Sequence, residues 1–163
     1  MSAPAPSTRR VGETRGRRPF RLTEYVVPED TLQVSCADLL WKLVMPPAEW
    51  AAYPAGHIKL TGQQKAKLYR MGLKPNWPDF MVSYNGMLGI ELKTVTGRLS
   101  IERNIKVRDR RGNIRIKRVE GQREVFPRLE ASGGFTRIVV CRTLEEVEAE
   151  LRAFGVPLRG SVA

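Results

Sequence analysis

Two acids and a lysine lie within fifteen residues of one another, in Pro78-Asp79 and in Glu91-Leu92-Lys93. Hydrolysis of a phosphodiester calls for this set of groups. Carboxylate oxygens hold a hard divalent cation, a water is activated beside it, and positive charge meets the charge that builds on the phosphate. Asp79 and Glu91 supply oxygens, and the backbone carbonyl of Leu92, between two site residues, offers another. Lys93 is placed to orient or help deprotonate the water and to stabilise the pentavalent transition state.

A β-hairpin must position these groups. Asn85-Gly86 separates two apolar runs, the strongest short hairpin signal a sequence carries. On the returning strand Glu91 and Lys93 share one face, while Ile90 and Leu92 point to a core. Register decides whether Asp79 joins them. A strict two-residue turn sets Phe80 opposite Glu91 and turns Asp79 away. A three-residue loop, Tyr84-Asn85-Gly86, with Gly86 left-handed in a bulge, pairs Ser83 with Met87 and sets Asp79 across from Glu91; a bulge at Gly89 would do the same. The competing reading of acid and base alternating on a strand is an ordinary solvated face with a cross-strand pair.

Pro78-Asp79 followed by Glu91-Leu92-Lys93 resembles the PD-(D/E)XK nuclease signature, and the flanking motifs resemble its VRR-NUC (virus-type replication-repair nuclease) group. These are Glu29-Asp30-Thr31-Leu32-Gln33 at a helix start, Lys67-Leu68-Tyr69-Arg70-Met71-Gly72 before the Pro-Asp, and the later Gln122. The resemblance spans about residues 29 to 158 and departs from the group's pattern where some twenty residues separate Ser100 from Gln122. It implies a restriction-endonuclease-like α/β core with a mixed central sheet flanked by helices. It also implies catalytic roles for Asp79, Glu91, Lys93, Glu29 and Gln122, a Mg²⁺ or Mn²⁺ cofactor on Asp79, Glu91 and the Leu92 carbonyl, and a 5′-phosphate product. Glu29, ahead of the first apolar stripe, would reach the hairpin's face; its alternative is a first-turn acid that favours the helix dipole.

The chain has 163 residues, enough for one domain with a true core. With 28 Lys and Arg against 17 Asp and Glu it carries a net charge of +11, a field that favours a polyanionic partner. Cys36 and Cys141 stand in apolar runs without metal-ligand spacing and read as buried thiols in a reducing compartment. The lone His57 excludes a multi-histidine centre within one chain. No apolar run approaches the ~20 residues of a membrane span, and the basic start lacks an apolar follow-on, so a cytoplasmic protein is expected.

Residues 1–22 mix Pro, Ser and Gly with six arginines and are expected to be a disordered basic tail. A helix should run from Pro28 to Pro46-Pro47. Residues 46–60 read as an irregular loop with Trp50, Tyr53 and His57, its aromatics plugging the core edge. Thr61-Gly62-Gln63-Gln64 is a capping box for a second helix ending at Gly72, with Lys67 and Arg70 on its basic side. After the first hairpin, residues 105–117 alternate apolar and cationic around Arg111-Gly112-Asn113, giving a second hairpin with one apolar and one cationic face. Nine basic residues fall between Arg98 and Arg118 against Glu102 and Asp109. This basic insertion (about 101–121) is expected to grip DNA through Arg98, Arg103, Lys106, Arg108, Arg115, Lys117 and Arg118, with Lys67 and Arg70 adding contacts; its alternative is a solvated hairpin. A Gln122–Ala131 helix with Pro127 in its first turn or at a kink, a buried strand at Thr136–Cys141 and a helix capped by a box at Thr143–Glu146 complete the domain, 23–163.

The expected function is a divalent-metal-dependent DNA endonuclease, structure-specific in one version, serving replication, repair, recombination or phage DNA processing. The alternative is a noncatalytic basic nucleic-acid-binding module on the same fold. A single-site nuclease must dimerise or act twice to cut both strands, so a homodimer is a further expected partner.

Overall fold

Leu32, Cys36, Leu39, Leu40 and Leu43 recur at helical spacing and are all buried along one side of α1 (Glu29–Leu43), which a computed structural model of the protein places against the sheet. The structure describes residues 28–53, 60–109 and 111–160; the expected basic tail 1–22 and His57 lie outside them. Pro28 stands just before the first turn, and its carbonyl accepts the Leu32 N–H at 3.1 Å.

The stretch expected to be an irregular loop contains a strand, β1 (Glu49–Ala52), paired antiparallel with β2 (Phe80–Ser83). Local sequence hid it because its four residues, Glu-Trp-Ala-Ala, show no clean alternation, and the partner strand supplies its order. Between them α2 (Gly62–Arg70) begins at the expected Thr61–Gln64 capping box. It ends where Gly72 takes φ 99°, with the Leu73 N–H returning to Leu68 O at 3.0 Å.

β2 continues through Tyr84-Asn85-Gly86 into β3 (Met87–Leu92), and the pairs run from Ser83 opposite Met87 to Phe80 opposite Ile90. The connection is therefore three residues long. Asn85 (φ 48°) and Gly86 (φ 135°) both take positive φ. A Cβ at Gly86 would lie 2.3 Å from Thr136 Oγ1, so the close approach of that threonine requires glycine as well. No bulge forms at Gly89, which pairs regularly with Met81. Its missing side chain instead admits Pro78 and Phe135.

The chain then leaves the body as a separate two-stranded sheet, β4 (Arg103–Arg108) with β5 (Ile114–Val119). It returns as α3 (Gln122–Ala131), β6 (Arg137–Cys141) and α4 (Leu144–Phe154). Pro127 sits inside α3, beyond its first turn. At α4 the expected box is half formed: Thr143 accepts from the Glu146 N–H, but the Glu146 carboxylate takes the N–H of Arg142, one residue earlier.

The main sheet has the order β1-β2-β3-β6, antiparallel except for the parallel β3–β6 pair. The described residues thus form a mixed α/β fold with a mixed sheet and four helices. Phe80, Val82, Leu88, Ile90, Leu92, Val139 and Cys141 of one sheet face pack with α1 and with Val147 and Leu151 of α4. The other face, toward α3 and Phe135, carries Glu91. β6 lies at the sheet edge with only Val139 and Cys141 fully buried, where a wholly buried strand was expected. Both cysteines are free and buried, and burial, first among the causes, pushes each thiol up to about 12. No described helix is long and apolar enough to cross a membrane.

Candidate active site

Continuing the observed β2–β3 register by one residue sets Asp79 opposite Glu91 on one face. Continuing the β1–β2 register likewise brings in Tyr53, whose N–H donates to Asp79 O at 2.7 Å. Tyr53, Asp79 and Glu91 thus form a row across three strands. With Glu29, Asp30, Tyr69, Pro75, Asn76, Trp77, Lys93 and Gln122 they line a cleft of about 390 Å³.

Glu91 is the centre of the row, 1 % exposed. Its Oε1 accepts from Lys93 Nζ at 2.5 Å and from Gln122 Nε2, while its Oε2 is buried with no hydrogen-bond partner among the described residues. Burial, and next the charge of Asp79, push its carboxyl up to about 7 against the pull of Lys93 and Gln122. Asp79, itself buried, accepts the Leu92 N–H on Oδ2 at 2.7 Å, which fixes its carboxylate on the strand backbone between Glu91 and Lys93. Leu92, whose carbonyl was expected as a metal ligand, also joins the site through its N–H. Lys93 also donates to Glu29 Oε1 at 3.1 Å, so the first residue of α1 does reach the hairpin. Burial alone would lower the Lys93 pKa, but the bonds to Glu91 and Glu29 outweigh it and hold the ammonium charged.

The twenty-residue gap before Gln122 closes in space. Ser100 N–H donates to Gln122 Oε1 at 3.2 Å, and Gln122 N–H donates to Ser100 Oγ at 2.9 Å. Arg123 N–H donates to Ser100 O at 3.1 Å. The insertion leaves and returns at one point, and because the Gln122 amide oxygen is held by a backbone donor, its NH₂ is turned to Glu91. Gly121 permits this closure, since a Cβ there would fall 2.3 Å from Ser100 O.

The basic residues are placed differently. Arg103, Lys106, Arg108, Arg115, Lys117 and Arg118 all lie exposed on the β4–β5 arm, Arg98 is exposed on the approach to it, and Lys67 and Arg70 are exposed on α2. The expected division into an apolar and a cationic face does not occur. Ile105 stands opposite Lys117, Val107 opposite Arg115, Lys106 opposite Ile116 and Arg108 opposite Ile114. Directly opposed residues share a face, so both faces mix cations with apolar side chains. A five-residue connection, 109–113, sets this phase, with the Asp109 carboxylate accepting from the Arg111 and Asn113 amides at 2.9 Å each. Arg118 pairs with Glu102, and Arg115 approaches Asp109 at 3.7 Å.

Sequence reasoning assigned Tyr53 to the core edge and gave Trp77, Asn76 and Tyr69 no role. Tyr53 and Trp77 meet as a tilted ring pair, centres 5.6 Å apart and planes at 30°. The Tyr53 hydroxyl accepts the Lys74 N–H at 2.6 Å and meets the Lys74 carbonyl at 3.0 Å. The usable signal was Trp77 immediately before Pro78-Asp79.

Among the described residues no three His, Cys, Asp or Glu side chains gather as a metal centre built of side chains alone. A divalent cation is compatible with the carboxylates present nonetheless. Asp79 and Glu91 are hard oxygen donors, and a buried carboxylate oxygen without a partner is costly unless a cation or donor meets it. Water and main-chain oxygens would complete such a shell. No family model matches the chain, and neither a curated protein nor a solved structure matches it at a significant level.

Proposed function

We propose that the protein is a divalent-metal-dependent nuclease acting on DNA, with the row of Asp79, Glu91 and Lys93 as its centre and a restriction-endonuclease-like core as its framework. The observation that carries this reading is the buried Oε2 of Glu91, opposite Asp79 and beside Lys93, which has no hydrogen-bond partner among the described residues. Mg²⁺ or Mn²⁺ held by Asp79 and Glu91 would supply a Lewis acid and an activated water. Gln122 orients the Glu91 carboxylate, and Asp79 is oriented by the Leu92 amide. Glu29 steers the Lys93 ammonium, which enters as a cation and stabilises charge developing on the scissile phosphate. The exposed cations of the arm and of α2 supply sequence-independent phosphate contacts. A noncatalytic basic module would have the same arm but would leave the burial of Glu91 without a purpose, at a desolvation cost of several kcal/mol.

Incubation of labelled linear, nicked and branched DNA with Mg²⁺, with Mn²⁺ or with EDTA tests the reading. Cleavage with either metal and none in EDTA is expected. Intact DNA in every metal condition, from protein that binds it, would establish the noncatalytic module instead.

A further inference from the structure

A second and larger cleft, about 760 Å³, opens beside the first, and the two share the wall Pro75-Asn76-Trp77. Val119, Val125 and Leu129 add apolar surface; among the described lining residues Lys74, Lys117, Arg118 and Arg128 are set against one acid, Glu120. Arg128 is engaged by Glu120 through two hydrogen bonds at 2.6 and 2.8 Å, and Arg118 pairs with Glu102, so Lys74 and Lys117 are the lining cations best placed for an incoming anion. The shared wall is built to hold its shape. Asn76 takes φ 64° and its amide donates to Glu120 O at 2.7 Å, while Trp77 is wedged between Tyr53 and Phe135 with ring centres 5.6 and 5.7 Å away.

We propose that this cleft is a subsite for an unpaired nucleotide of the same strand whose phosphate reaches Asp79 and Glu91, its base lying against Trp77 and the apolar floor and its phosphate meeting Lys74 and Lys117. The proposal rests on the nuclease reading for the position of the neighbouring phosphate. Three features select this occupant. The cavity falls within the range, about 300–1,000 Å³, of pockets that enclose a small molecule. Its surplus of cations suits a phosphate, and a fixed aromatic on an apolar floor suits the flat face of a base. A base-paired nucleotide presents only phosphates and groove edges, so its base stays outside a concave cleft. The substrate class that follows is nucleic acid with at least one unpaired nucleotide next to the cut.

Photocrosslinking in EDTA reads the subsite without cleavage. The probe is DNA carrying one 5-iodouracil, either in a single-stranded extension of a duplex or at the same sequence position fully paired. The expected result is an adduct on Trp77, at least tenfold more abundant with the unpaired probe, lost in Trp77→Leu. Lys117→Glu, on the exposed arm, should weaken binding of the unpaired probe at least fivefold more than that of the paired one, which keeps the test open should Trp77→Leu fail to fold. Equal yields from paired and unpaired probes, or adducts confined to Tyr53, Tyr69 or the arm, would overturn the subsite. Parallel incubations with Mg²⁺ separate the two readings. Cleavage with no preference for the unpaired probe removes the subsite and keeps the nuclease, whereas the Trp77 adduct without cleavage of any DNA keeps the subsite and removes the nuclease.

Discussion

The corner formed by Asp79, Glu91 and Lys93 and the β4–β5 arm both concentrate charge, and they treat it in opposite ways. At the corner Glu91 is 1 % exposed, and its charge is defined by a few bonds to Lys93, Gln122 and, through Lys93, to Glu29. On the arm the cations lie exposed on both faces of a ribbon that forms a sheet of its own. Buried charge is positional, so moving one group changes what the others do. Exposed charge is additive and screened, and each cation counts about equally wherever it lies along the ribbon. The corner is suited to chemistry, the arm to holding a polyanion, and the Ser100–Gln122 clasp is where they meet.

The sharpest way to break this division is Lys93→Ala. On the proposed nuclease reading cleavage falls about a thousandfold or more, because that reading sets the ammonium beside the scissile phosphate, where it acts in the transition state. DNA affinity in EDTA should stay within about twofold, as befits one cation among many. Wild-type cleavage by the variant would take the lysine out of the mechanism.

Next in size is the pH dependence of Glu91. Its carboxyl is raised from 4.5 to about 7, so the folded protein binds this proton more tightly than the unfolded chain does. The stability this contributes is complete below about pH 4.5 and is lost as pH rises through about 7, on the order of 3 kcal/mol in metal-free protein. Urea titrations at pH 5 and pH 8 should show that loss, and Mg²⁺ should restore more stability at pH 8 than at pH 5. Glu91→Gln should flatten both responses, and an unchanged pH slope in that variant would place the titration elsewhere.

For the arm, Arg108, Arg115 and Lys117 changed together to Ala should leave the unfolding midpoint nearly unmoved. The same change should weaken DNA binding for all sequences and reduce the slope of log affinity against log salt by roughly one per lost phosphate contact. A slope equal to wild type would move the grip to Lys67 and Arg70 on α2.

The smallest effect is expected at the clasp. Gly121→Ala pushes a methyl group against the Ser100 carbonyl, at a cost of about 1–3 kcal/mol in stability. If the arm and the corner are coupled there, cleavage should fall by more than DNA affinity does. Equal losses would make Gly121 a packing residue alone.

The sequence determined the first hairpin and the side of the strand on which Glu91 and Lys93 fall, because strand alternation and Asn-Gly turn chemistry act over a few residues, whereas its loop length followed only from requiring Asp79 to face Glu91 and is fixed by the observed pairing of Ser83 with Met87. It determined α1 through its apolar stripe and α2 through its cap for the same reason, and in Glu29 and Gln122 it held the site's outlying members as matches of motif order. The arm's hairpin, α3, β6 and α4 were legible from the same local signals, and tertiary structure decided what local signals do not carry. β1 exists because β2 offers it a partner. The arm's faces mix because a five-residue connection sets the phase of two strands, and side-chain alternation within either strand is blind to that phase. Gln122 reaches Glu91 because Ser100 and Gly121 close the insertion at its root. The unpartnered oxygen of Glu91 arises only when strand, helix and clasp enclose it together, since burial is set by every element that surrounds a group and by none of them alone.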